Sequence, residues 1–76
     1  MGYNYSKLRG KIVEKFKTQS NFSAAMKMSE RSLSLKLNCK RPFNQRDIFT
    51  ACKLLDIQDI EISEYFFQPE VQKVEQ

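Results

Sequence analysis

The chain has 76 residues, a net charge of +4, and only two glycines and two prolines, so it favours one small helical domain over a disordered chain or a turn-rich β-protein. It has no histidine and two cysteines, too few ligands for a structural zinc site and no cysteine–histidine pair for a thiol enzyme. A glycine-rich phosphate loop is also missing, so we expect no enzyme, no metal and no cofactor.

The sequence favours a cytoplasmic location. No stretch approaches the roughly 18 apolar residues of a membrane span, and the start, MGYNYSKLRGK, lacks the apolar centre of a signal peptide. We therefore expect Cys39 and Cys52 to be reduced thiols and the protein to have no membrane partner.

Charge is divided unevenly along the chain. Residues 1–53 carry a net charge of +9, whereas residues 54–76 carry −5. A basic body with an acidic end favours a polyanionic partner on one side of the molecule only.

The first two predicted helices follow from apolar spacing and a capping residue. A helix over residues 5–17 has apolar residues at intervals of three and four. Its predicted core face comprises Tyr5, Leu8, Ile12, Val13 and Phe16. Thr18 is a suitable N-cap for a second helix over residues 19–26, which contains Phe22, Ala25 and Met26.

Two further helices are predicted on the same grounds. Ser29 is the N-cap candidate for a third helix over residues 30–38, with Leu33 and Leu37 facing the core. After a polar loop that ends at Pro42, Asn44 and Asp47 resemble a capping box. They open a fourth helix to Leu55, whose apolar stripe is Ile48, Phe49, Cys52 and Leu55.

A short fifth helix is predicted over residues 59–67. Its apolar residues are Ile60, Ile62, Tyr65, Phe66 and Phe67. Residues 68–76 are polar and interrupted by Pro69, so we expect a domain over residues 1–67 followed by a flexible tail.

The second and third helices have the lengths and spacing of a helix-turn-helix over residues 19–37. Close crossing of the two helices requires a small residue, for which Ser23 is suitable. If Leu33 and Leu37 hold the third helix to the core, its opposite face can enter a major groove. The side chains that could then reach base edges are Glu30, Arg31, Ser34 and Leu35.

Several residues resemble the lambdoid Cro/repressor family of helix-turn-helix proteins. The matching positions are Thr18-Gln19, Phe22, Ser23 and the run Met28-Ser29-Glu30-Arg31-Ser32-Leu33-Ser34. The continuation LSLKLNCKRPFNQRDIF and the ending EISEYFFQP look like short phage regulators found beside lysogeny repressors. The resemblance implies an all-α, lambda-repressor-like domain of five short helices.

The resemblance also implies a set of DNA contacts. Gln19 and the loop residues Asn38, Lys40 and Arg41 match positions that contact phosphates. Ser29 and Glu30 match the start of the recognition helix, and Arg31 and Ser34 match base-reading positions. Leu35 stands where relatives more often have Arg or Gln, and could offer only an apolar contact.

Three other positions depart from the family pattern. Lys27 and Cys39 stand where relatives usually have glycine, at turns where a positive φ is often needed. Lys36 occupies a position that many relatives fill with an aliphatic core residue.

These features predict a Cro-like repressor that reads double-stranded operator DNA as a homodimer. Tyr65, Phe66 and Phe67 are the predicted dimer or partner contact, because adjacent aromatic residues on a short helix cannot all point inward. The alternative is a helix-turn-helix fold that docks on a phage repressor and modulates it. Loss of basic side chains would impair the first function, and loss of Phe66 or Phe67 would impair the second.

Overall fold

The computed structural model describes residues 2–69, which form five α-helices and no strand. The predicted all-α fold of five short helices is confirmed. The elements are α1 (Ser6–Phe16), α2 (Gln19–Met26), α3 (Glu30–Leu37), α4 (Gln45–Leu55), a 3-10 turn (Asp59–Glu61) and α5 (Ile62–Phe66). Residues 70–76, most of the predicted flexible tail, lie outside the described residues.

The predicted N-caps of three helices are present. The Thr18 hydroxyl accepts a hydrogen bond from the Asn21 amide at 3.0 Å, and the Ser29 hydroxyl accepts one from the Ser32 amide at 3.0 Å. Asn44 and Asp47 form a reciprocal capping box at the start of α4. Each cap satisfies an amide that has no partner within its helix, which stabilises the helix by about 1 kcal/mol.

The core lies around α1, which packs against α2, α4 and α5. Six large side chains are almost fully buried there: Leu8, Ile12, Phe22, Leu33, Leu55 and Phe66. Ser23 is also buried, on the helix that packs against α3, and its hydroxyl donates to the Ser20 carbonyl at 2.8 Å. A small side chain with its own hydrogen-bond partner thus lets α2 pack closely without leaving a polar group unsatisfied.

Two residues on the predicted apolar faces are exposed instead. Val13 and Phe49 are 56% and 63% exposed, so the apolar faces predicted for α1 and α4 were too wide. Ile60, in the 3-10 turn before α5, is 86% exposed. Consecutive residues on an α-helix are about 100° apart, and the narrow core here accepts Ile12 and rejects its neighbour Val13. Phe49 is displaced in the same way beside the half-buried Ile48. No helix within residues 2–69 is long and apolar enough to cross a membrane.

Two of the turns adopt the left-handed backbone that the sequence indicated. Lys27 and Cys39 both have a φ of 61°. The Lys27 amide donates to the Ala24 carbonyl and the next amide, of Met28, donates to the Ser23 carbonyl, which closes the end of α2. A lysine in this conformation is strained relative to glycine, since its Cβ approaches the following carbonyl oxygen.

Replacing Lys27 with glycine should therefore stabilise the protein. We expect Lys27→Gly to raise the free energy of unfolding by about 0.5–1 kcal/mol, the relief of left-handed strain less the entropy of a glycine in the unfolded chain. Urea unfolding followed by circular dichroism would measure the change. The matched control is Lys53→Gly, inside α4, which should lower the same free energy by about 1 kcal/mol. Equal losses in both variants would contradict the strain at Lys27.

Candidate functional site

The candidate site is the surface formed by α2, α3 and the loop that follows α3. The helices are joined by residues 27–29, and α3 begins at the capped Ser29. Glu30 and Arg31 are exposed in the first turn of α3, whereas Ser34 and Leu35 are half-buried. The two charged residues are therefore the side chains of α3 most accessible to a partner.

Arg9 on α1 joins both ends of this surface, an arrangement that we call the Arg9 junction. Its Nη1 donates to Gln19 Oε1 at 3.1 Å, at the start of α2. Its Nη2 donates to the Leu37 carbonyl at 3.1 Å and to Asn38 Oδ1 at 2.9 Å, at the end of α3. One guanidinium thus fixes the start of α2 against the end of α3.

The Arg9 junction changes what two predicted phosphate contacts can do. The side-chain Oε1 of Gln19 accepts a hydrogen bond from Arg9, so the Nε2 group of Gln19 remains available to donate to an outside partner. Asn38 also accepts from Arg9, and its Nδ2 donates to the Ser34 carbonyl at 2.9 Å and to Ser34 Oγ at 3.3 Å. Asn38 therefore has partners within the protein for both its acceptor and its donor group, and it stabilises the helix end.

The other residues of the predicted DNA-contact set lie on the surface. Ser29 is exposed, although its oxygen caps α3. Lys40 and Arg41 are exposed in the loop after α3, where the Lys40 amide donates to the Leu35 carbonyl at 2.8 Å. Neither basic side chain forms a salt bridge among the residues that the structure describes, so both are available to an anionic group.

The predicted contact role of the aromatic cluster in α5 needs correction. Tyr65 and Phe66 are buried, at 6% and 1% exposure, and belong to the core. Phe67 alone among the three is exposed, at 46%. The 3-10 turn before α5 leaves that helix only five residues long, and its last two residues point into the protein.

Lys36 is accommodated by an ion pair that sequence reasoning missed. Its Nζ contacts Asp47 Oδ2, and both side chains are nearly buried. Asp47 also accepts from the Asn44 amide in the capping box, at 3.2 Å. The lysine at a core position thus connects α3 to the start of α4. The sequence offered one indication of this pair, because the predicted capping box placed the carboxylate of Asp47 at the start of α4.

Among the described residues, the surroundings in the fold raise the pKa of Cys52, Tyr5 and Lys7. Burial raises the pKa of the Cys52 thiol, which keeps it protonated and weakly nucleophilic. Burial also raises the pKa of Tyr5. A hydrogen bond to Glu64 raises the pKa of Lys7, on the side of α1 that packs against α5. Within residues 2–69, histidine, cysteine, aspartate and glutamate form no group of three or more that could hold a metal ion.

The Arg9 junction predicts a specific sensitivity to an otherwise conservative change. Arg9→Lys should lower the free energy of unfolding by about 1–2 kcal/mol, because an ammonium group cannot reproduce the planar fork that reaches Gln19, Leu37 and Asn38.

Urea unfolding of Arg9→Lys beside Arg31→Lys would test this prediction. The side chain of Arg31 is exposed and has no hydrogen-bond or salt-bridge partner among the described residues, so its variant should differ from wild type by less than about 0.5 kcal/mol. If the two variants had the same stability, the junction would have no structural role.

The sequence and fold were compared with known proteins. Residues 1–69 match the model of a family described as "Protein of unknown function (DUF739)". No curated protein matches the chain. Among solved structures, the chain is similar to the solution structure of the modulator of repression (MOR) of the temperate bacteriophage TP901-1 from Lactococcus lactis. The two chains are 46% identical with a TM-score of 0.79, and the match covers 95% of this chain and 97% of that one.

This relative is a phage regulatory protein, as the resemblance in the sequence implied, although it is not described as a member of the Cro/repressor family. The match extends over residues of all five helices and the loops between them. The chain belongs to the DUF739 family of proteins of unknown function.

Proposed function

We propose that this protein is a phage regulator that docks on a phage repressor and modulates repression. The observation that carries the proposal is the match to a modulator of repression over 95% of this chain and 97% of the other, at 46% identity. The proposed setting is the cytoplasm of a bacterial host.

The exposed apolar side chains support a protein partner. Tyr3 and Phe67 are 44% and 46% exposed, and the centroids of their rings are 5.7 Å apart. Single exposed hydrophobic residues are normal, but aromatic residues on a small surface are typical of protein interfaces. No comparable apolar surface is needed to hold a DNA backbone, which is contacted by cations and hydrogen-bond donors.

Binding to the repressor encoded by the same phage tests this function. Isothermal titration calorimetry of the purified proteins should show a saturable complex, and adding the protein should change the affinity of the repressor for a fluorescent operator fragment. A repressor from an unrelated phage is the matched control and should give neither result, because a docking interface discriminates between partners. If the phage's own repressor also gave neither heat nor a change in operator affinity, the proposed function would be wrong.

A second candidate function is direct reading of operator DNA. Arg31 is exposed in the first turn of α3, and Lys40 and Arg41 are exposed in the loop beyond its other end. Arginine suits bidentate contact with guanine in a major groove, and basic residues beyond the helix suit phosphates. A two-fold pair of subunits would place its recognition helices about 34 Å apart, one turn of DNA. Phe67 is the residue of the predicted dimer contact that remains exposed.

Fluorescence anisotropy on tiled fragments of the flanking phage DNA tests the second candidate. If α3 reads bases, Arg31→Ala should weaken binding to one preferred fragment by about 1–3 kcal/mol. Lys53→Ala removes an exposed positive charge from α4 and should weaken binding less, and equally on all fragments. Measurements at two salt concentrations separate the two effects. Equal binding to every fragment, or none, would exclude operator reading by this protein alone and leave repressor docking.

A further inference from the structure

An aromatic pocket lies between the N-terminal residues 2–5, the loop after α3 and the end of α5. The cavity has a volume of about 230 Å³. Five of the eleven residues that line it are aromatic: Tyr3, Tyr5, Phe43, Phe66 and Phe67. Tyr3 and Phe67 are 44% and 46% exposed, so the rim is open to solvent, whereas Tyr5 and Phe66 are buried.

The wall of the aromatic pocket is a continuous chain of ring contacts. The centroid of Tyr3 is 5.7 Å from Phe67 and 6.2 Å from Tyr5, and the centroid of Phe43 is 5.3 Å from Tyr5 and 5.4 Å from Phe66. Three of these four contacts are edge-to-face, the arrangement that aromatic quadrupoles favour. Each ring is therefore held by another, and the cavity is formed before a ligand arrives.

Backbone contacts hold the N-terminal side of the pocket in place. Tyr3 forms an antiparallel bridge with Pro69, and the Asn4 amide donates to the Gln68 carbonyl at 2.7 Å. On the other side, the Cys39 thiol donates to the Tyr3 carbonyl at 3.2 Å. The left-handed Cys39 thus joins the loop after α3 to the N-terminal residues, so that two sides of the pocket are held to each other.

The size of the pocket indicates what it can hold. A cavity of about 230 Å³ is smaller than the roughly 300–1,000 Å³ of small-molecule and cofactor sites. It exceeds the roughly 150 Å³ that accommodates a benzene ring. One large aliphatic or aromatic side chain fits this volume, and such anchors in preformed pockets supply most of the binding energy in protein interfaces.

The charge around the pocket indicates which groups of a partner would lie beside its anchoring side chain. Lys40 and Arg41 line the same cavity, are exposed and have no salt-bridge partner within residues 2–69. They favour carboxylates beside the anchor. A DNA backbone could satisfy the two cations, but its phosphates and sugars would leave the aromatic wall unfilled.

We propose that the aromatic pocket is a docking site for an acidic segment of the partner protein, in which a large apolar side chain enters the cavity and an adjacent carboxylate contacts Lys40 and Arg41. The identity of that partner as the phage repressor rests on the proposed function. The apolar anchor supplies affinity, and the two cations speed association and select acidic over basic segments.

Two experiments test this site, of which the first uses the complete repressor. Phe67→Gln should weaken repressor binding at least tenfold in calorimetry, and the double variant Lys40→Gln/Arg41→Gln should weaken it three- to tenfold and reduce its salt dependence. The matched controls are Phe49→Gln and Lys53→Gln, which remove an aromatic ring and a cation from the exposed side of α4. Both controls should bind within twofold of wild type. Thermal unfolding of every variant confirms that it is folded.

The second experiment does not depend on the repressor. Titration of the ¹⁵N-labelled full chain with 3-phenylpropionate should shift the amide signals of residues 3–5, 39–41, 43 and 66–67, and the neutral 3-phenylpropionamide should shift them less at the same concentration. The Lys40→Gln/Arg41→Gln variant should abolish the difference between the two probes.

Each outcome is decisive for one of the two proposals. If the repressor does not bind wild type at all, the proposed function is wrong. In that case, signal shifts caused by 3-phenylpropionate would still support the pocket as a binding site, and the absence of shifts would overturn it. If the repressor binds and the pocket variants match their controls, the docking site is overturned. It is also overturned if Val71→Ser/Val74→Ser in the full chain binds the probe at least fivefold more tightly, because the occupant would then be the chain's own end.

Discussion

The hydrogen bonds of Arg9 determine how the two surface helices are held on the core. Its guanidinium is a planar fork, and here it reaches a side chain at the start of α2 and two acceptors at the end of α3. The Leu37 carbonyl belongs to the last turn of α3, where carbonyls have no partner in the helix and a cation interacts favourably with the helix dipole. The apolar core fixes which faces of the helices are buried, but this polar junction fixes where their ends lie.

The aromatic pocket is a consequence of the same helix end. Asn38 is held by Arg9, and the chain then turns through the left-handed Cys39, whose thiol contacts Tyr3. That turn places Lys40 and Arg41 beside the aromatic wall. A distortion at the end of α3 would therefore reach both the candidate helix surface and the pocket. The candidate helix surface and the aromatic pocket are thus connected directly along the chain, by the turn that follows α3.

Local features of the fold could be predicted from the sequence. The boundaries of α2, the caps at Thr18, Ser29 and Asn44, and the left-handed turns at Lys27 and Cys39 each depend on a few neighbouring residues. The division of α5 between core and surface could not be predicted in this way. Tyr65, Phe66 and Phe67 have similar apolar character, and only packing against α1 and the N-terminal residues decides that Phe67 is the exposed one.

The candidate site could be predicted only in part, because some of its contacts join residues that are far apart in the sequence. The exposure of Arg31, Lys40 and Arg41 agrees with the residue pattern, but the partners of Arg9 lie 10, 28 and 29 residues away in the chain. No periodicity relates such positions. The aromatic pocket likewise combines residues from both ends of the described chain and from its middle, and it exists only once the fold brings them together.

Ion pairing also refines the interpretation of charge. The sequence places excess positive charge in residues 1–53, yet the structure pairs Lys7 with Glu64 and Lys15 with Asp56, across the boundary between the basic and acidic parts. Lys36 is neutralised by Asp47. Among the described residues, the exposed cations without a salt-bridge partner are Lys17, Lys27, Arg31, Lys40, Arg41, Arg46 and Lys53. Ion pairing therefore leaves positive charge on α4 and at the end of α2 as well as on and after α3, and of these cations only Lys40 and Arg41 line the aromatic pocket.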